Sequence, residues 1–178
     1  MKESAVATTQ LRSLYVGNYR EADLRPLTGH TELRSLRLKD RPALRSLAGA
    51  EAFERLQHLE VVGASRLEDF RSLSELAVGL ESLWIESCRR LDQIDFVRRL
   101  TALVRLAIAD CGRIESLHPL AGLAHLREVI LWESTHVADG DLSPLLDLPQ
   151  LEEFRLRSRP LYTPSVREVA AHLGLVHP

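Results

Sequence analysis

The sequence predicts an α/β solenoid: about seven stacked coils sharing one parallel sheet, with short outer limbs and a helix closing the C-terminal end. Three observations carry that prediction. An apolar motif with leucine-type residues at its first, fourth and sixth positions recurs seven times along the chain. Each motif is followed at constant spacing by further apolar side chains. Composition agrees, since 45% of the 178 residues are apolar but only 5% are aromatic. A leucine-dominated core without aromatics is what one small cross-section filled over and over requires.

The motif runs Leu11, Leu14, Val16; Leu33, Leu36, Leu38; Leu56, Leu59, Val61; Leu80, Leu83, Ile85; Leu103, Leu106, Ile108; Leu126, Val129, Leu131; and Leu151, Phe154, Leu156. Its starts are 22, 23, 24, 23, 23 and 25 residues apart. Apolar residues at positions four and six, with other side chains between, fit a strand with one buried face. A lone strand cannot bury that face, but a stack of equivalent strands about 4.8 Å apart can, and seven of them make a sheet roughly 30 Å across.

The return limb has little chain to work with. Leu44, Leu67, Leu91, Ile114 and Val137 turn inward first, followed by Leu47, Phe70, Ile94 and Leu117. Pro26, Pro119 and Pro144 suit 3₁₀ or irregular turns, whereas Phe70–Val78 has room for a helical turn or two. At the C-terminal end Thr163-Pro164-Ser165 starts a helix, and Ser165 with Glu168 fits a capping box. Val166, Val169, Ala170 and Leu173 share one face of it, and Gly174 offers the stop. The expected organisation is therefore an N-terminal extension or partial cap over 1–10, in which residues 4–10 add a partial strand, repeats over 11–160, and a capping helix within 161–178.

Over roughly residues 11–160 this pattern resembles the leucine-rich-repeat family. Cys88 and Cys111 occupy the ninth position, where that family carries asparagine or cysteine, and the tail Ile114-Glu-Ser-Leu117-His-Pro-Leu120-Ala-Gly-Leu123 is similar to the short internalin-like bacterial class. The resemblance implies a right-handed solenoid with its sheet on the concave face, and a role in binding another protein. Three places depart from the pattern. Coil one has Tyr19 at the asparagine position and reaches its next leucine late, at Leu24; coil six inserts Asp139-Gly140-Asp141; coil seven breaks down after Leu156, with Pro160 and Pro164. Atypical end units are expected where a solenoid must face water.

Charge and composition narrow the function classes. With 23 basic against 25 acidic residues there is no single-sign field to attract a phosphate backbone. No segment has the apolar length of a signal peptide core or a membrane span. The expectation is a cytoplasmic monomer without membrane, nucleic-acid, cofactor or metal partners.

Cys88 and Cys111 lie one coil apart, a spacing open to a disulfide or a metal pair; the family position instead implies inward thiols contacting the loop backbone. His30, His118, His125, His136, His172 and His177 fall at turns or in the cap. Only His58 falls on the inner sheet face, flanked by Ser35 and Ser82 with Glu60 on its own strand. Those serines lack the elbow and oxyanion loop that nucleophilic catalysis requires. No phosphate loop, dinucleotide fingerprint or HExxH pattern occurs.

Function is therefore expected on the strand positions that point away from the core. The central row is Tyr15, Arg37, Glu60, Trp84, Ala107, Ile130 and Arg155. Beside it run Gly17, Lys39, Val62, Glu86, Ala109, Trp132 and Arg157, and on the other side Ser13, Ser35, His58, Ser82, Arg105, Glu128 and Glu153. Both tryptophans fall on this surface. With Ala107, Ala109 and Ile130 they outline a shallow apolar depression, framed by Arg37 and Lys39 at one end and by Arg155 and Arg157 at the other. The expected partner-binding residues are Tyr15, Arg37, Glu60, Trp84, Glu86, Ile130, Trp132 and Arg155. The leading expectation is a non-catalytic module gripping a protein or peptide. A toxin-neutralising immunity or inhibitor protein, the ligand-sensing part of a larger receptor, and a hydrolase or nucleic-acid-binding solenoid are the alternatives.

Overall fold

In the computed structural model, which describes residues 11–76 and 79–175, each apolar motif becomes one strand of a continuous parallel sheet. The strands are β1 (Ser13–Gly17), β2 (Ser35–Lys39), β3 (His58–Val62), β4 (Ser82–Glu86), β5 (Arg105–Ala109), β7 (Glu128–Trp132) and β9 (Glu153–Leu156). They pair in chain order with equivalent positions in register, for example Leu83 beside Leu106 and Leu106 beside Val129. Two further strands, β6 (Arg113–Ile114) and β8 (His136–Val137), form a separate two-stranded parallel ladder along one flank. Residues 1–10, with the partial strand expected there, lie outside the described residues.

The register explains the core. Leu36, Leu38, Leu83, Ile85, Leu106 and Ile108 are fully enclosed, whereas Leu14 and Val16 on β1 are only half-buried, with no described coil beyond them. The limbs close with 3₁₀ turns such as Arg25–Leu27, His118–Leu120 and Ser143–Leu145, each carrying its proline in the first turn. In the Phe70 limb the expected helical turns are a 3₁₀ segment, Arg71–Glu75; positions 77 and 78 lie outside the described residues. Phe70 stacks on Phe96 of the next limb with ring centroids 5.5 Å apart. Among the described residues no helix is long and apolar enough to cross a membrane.

The turn leaving each strand was not anticipated from the sequence. The eighth residue of six successive coils (Asn18, Asp40, Gly63, Ser87, Asp110 and Glu133) has positive φ. In four of them, Asn18, Gly63, Ser87 and Asp110, the backbone N–H donates across to the next coil, as from Ser87 to Ala109 at 2.9 Å and from Asp110 to Trp132 at 3.2 Å. The stack dictates this left-handed turn whichever residue occupies it.

The ninth position closes the core beneath that turn. Burial pushes the Cys88 thiol up to about 12 and the Cys111 thiol up to about 11. Both are free, with Cys88 Sγ 3.4 Å from the Glu86 carbonyl and Cys111 Sγ 3.2 Å from that of Ala109. Since the thiolate is the reacting species, iodoacetamide at neutral pH should leave both cysteines unmodified in the folded protein and label both in denaturant; mass spectrometry reads the difference. In coil six the equivalent role falls to Thr135, one residue late. It is 1% exposed, and its hydroxyl accepts the Cys111 backbone N–H at 3.0 Å. Thr135→Val keeps the shape but strands that N–H, so denaturant titration should show a loss of about 1–3 kcal/mol.

The C-terminal end forms as expected. Helix α1 (Val166–His172) starts at a complete capping box: Ser165 Oγ accepts the Glu168 N–H, and the Glu168 carboxylate accepts the Ser165 N–H at 2.8 Å. Val166, Val169 and Ala170 are buried in the core cluster. The insertion in coil six makes room for this closure. Gly140 has φ of 76°, and a Cβ there would lie 2.5 Å from the Leu161 carbonyl oxygen, so only glycine lets the two segments meet.

Candidate functional site

Strand register sets the concave face row by row, because alternate side chains of every strand project to the same side. Tyr15, Arg37, Glu60, Trp84, Ala107, Ile130 and Arg155 do form one continuous row across the seven strands. The row divides into two regions of different chemistry.

Over β1 to β3 the face is polar and closed on itself. Glu60 is held by Lys39 at 2.6 Å and by Arg37 at 3.6 Å. Tyr15, 58% exposed, donates to Asp40 at 3.3 Å. His58 stands in register with Ser35 and Ser82, but Glu60 is already committed to its two cations, so no carboxylate–histidine–serine relay forms. The shallow cavity here, about 390 Å³, is lined by Arg37, His58, Glu60, Ser82, Trp84 and Arg105.

Over β4 to β9 the face is apolar at its floor. The two tryptophans of this face differ in exposure. Trp84 is half-buried: its indole N–H donates to Glu86 at 2.9 Å, and the Arg105 guanidinium covers the ring at 5.1 Å from its centroid. A cation over an indole face is favourable in its own right. Glu128 lies 2.9 Å from Arg105 Nε but off the N–H axis, an ion pair without an aligned hydrogen bond. Ile130, 6% exposed, joins Ala107 (0%) and Ala109 (6%) in the floor. Trp132 alone of the pair is open, at 49%. The resulting depression of about 170 Å³ lies among Trp84, Arg105, Ala109, Ile130, Trp132 and Arg155. Arg155 is not a free cation at its edge, since Glu153 sits 2.6 Å away.

A larger cavity lies elsewhere. About 470 Å³ opens on the flank over the Phe70–Phe96 stack and includes no residue expected to bind a partner. Both phenylalanines are already buried, and most of the charges around them are paired, with Arg71 on Asp69, Arg90 on Glu68 and Arg98 on Asp95. The concave depression is smaller, but it presents an open aromatic ring over an apolar floor. Among the described residues, no group of three or more histidine, cysteine or acidic side chains could hold a metal ion.

Two solved structures share this coil-on-coil parallel sheet. One is an internalin (inlF) from Listeria monocytogenes, with a TM-score of 0.55 and 18% identity over 81% of this chain and 47% of the other. The second is internalin C2 (inlC2) from the same organism, with a TM-score of 0.53 and 22% identity over 83% of this chain and 71% of the other. The chain folds as a leucine-rich-repeat solenoid. No family model and no curated protein matches it. The chain spans about half the length of the first internalin, and at these identities the likeness is one of fold.

Proposed function

We propose that this solenoid is a non-catalytic binding module that holds a protein or peptide partner on its concave sheet, anchored at the depression beside Trp132. One observation supports this above all: a tryptophan half-open to solvent stands over a floor of Ala109 and Ile130, near one end of the sheet. An aromatic ring rising from an apolar floor is the usual form of an interface anchor. The internalin-like architecture favours protein binding in general, although fold likeness alone is a weak warrant.

The charges support the choice of a protein over a nucleic acid. Arg37, Lys39, Arg105 and Arg155 each lie against a glutamate of the same face, so of the cations in its rows only the exposed Arg157 has no ion pair among the described residues, too little charge to neutralise a phosphate backbone. The test is selection of binders from a displayed library of random linear peptides, followed by titration of each binder against variants. Binding that falls with Trp132→Ala and persists with His125→Ala, a substitution at an exposed outer turn, is the expected result. Binders insensitive to Trp132 would remove the concave site from consideration.

A further inference from the structure

On one flank the coils bring three arginines round a small hollow. Leu44, Leu67 and Leu91 turn inward at equivalent places in coils two, three and four. Their exposed neighbours Arg45, Arg66 and Arg90 therefore project from the same flank. The backbone holds the coils in step, since the Arg45 carbonyl accepts the N–H groups of Glu68 at 3.1 Å and Asp69 at 3.2 Å. Arg45, Arg66, Arg90 and Glu68 line a hollow of about 100 Å³, which shares Glu68 and Arg90 with the cavity of about 470 Å³ beside it.

The charges of the hollow do not cancel. Arg90 is paired with Glu68, whereas Arg45 and Arg66 make no ion pair and donate no side-chain hydrogen bond among the described residues. Three arginines against one glutamate leave two positive charges in excess. In the adjoining cavity Arg71 is paired with Asp69 and Asp95 with Arg98; Asp92 lines that cavity but not the hollow. We propose that the hollow binds a phosphate monoester, its oxygens taking the free guanidinium forks of Arg45 and Arg66, with Arg90 as a third donor and the rest of the ester in the larger cavity. A phosphate monoester carries close to two negative charges at neutral pH and so matches the excess, where a carboxylate would match half of it. Planar guanidinium groups also grip phosphate oxygens two at a time. A hollow of this volume takes several water molecules, and so a phosphate group.

The site lies apart from the concave sheet, so it stands or falls independently of the partner proposed above. Its test is calorimetric titration at constant ionic strength with phenyl phosphate, with benzoate, and with a serine-containing peptide in phosphorylated and unphosphorylated forms. The phosphate probes should bind, and benzoate and the unphosphorylated peptide should bind at least about tenfold more weakly. Arg45→Gln and Arg66→Gln should each weaken phosphate binding about tenfold with unchanged melting temperatures, while Trp132→Ala leaves it alone. A phosphopeptide tighter than phenyl phosphate identifies a phosphorylated protein segment as the source of the group; an affinity no better for the peptide identifies a small ester. No binding of either phosphate probe, equal binding of benzoate, or binding that survives both arginine substitutions overturns the inference.

Discussion

Leu106→Ala should damage the stack severely, lowering the unfolding free energy by about 2–5 kcal/mol. Leu106 is fully enclosed on β5, an interior strand, with Leu83 and Val129 as its register neighbours on either side. Truncation opens a cavity that the neighbouring coils cannot close without giving up their backbone ladder to β5. Solenoid stability is approximately a sum of coil terms and nearest-neighbour interfaces, so the loss weakens two interfaces at once. Denaturant titration by circular dichroism measures it. A change below about 0.5 kcal/mol, the range of ordinary surface substitutions, would show that the coil interior is not packed as described.

The two tryptophans should separate stability from binding. Trp84→Ala removes a half-buried ring, its hydrogen bond to Glu86 and the surface on which Arg105 lies. It should cost about 1–3 kcal/mol of stability, with binding reduced as a secondary effect. Trp132→Ala takes away an open ring and should change stability by no more than about 0.5 kcal/mol. Its expected effect is on affinity, a loss of about 2 kcal/mol or roughly thirtyfold. Thermal melts and peptide titrations on both variants decide the matter. Destabilisation by Trp132→Ala as large as that by Trp84→Ala would make both rings structural.

Most of the architecture could be read from residue spacing. Because coils repeat, one motif such as Leu103, Leu106, Ile108 determines which side chains share a row on every other strand, and so which residues face the groove. Direction was legible; depth was not. Ala107 and Ala109 are small enough for Trp84, Ile130 and their neighbours to cover them, so Ile130 sinks into the floor although its strand position points outward. The fate of Trp84 depended on Arg105, a long side chain from the adjacent strand whose reach no strand period encodes. Thr135 was missed because coil six runs one residue late, which hid its hydroxyl from a fixed ninth-position rule. The β6–β8 ladder was missed because two-residue strands carry no alternation to detect.

The left-handed turn at the top of the strands has an evolutionary consequence. Of its six residues only Gly63 is free of the steric penalty that a Cβ incurs in that conformation. Glycine at Ser87, Asp110 or Glu133 would therefore relax the backbone while erasing side chains along the lip of the groove. Selection for heat resistance alone would drift toward that smooth lip; under the concave-face proposal, it would do so at the expense of side chains offered for recognition.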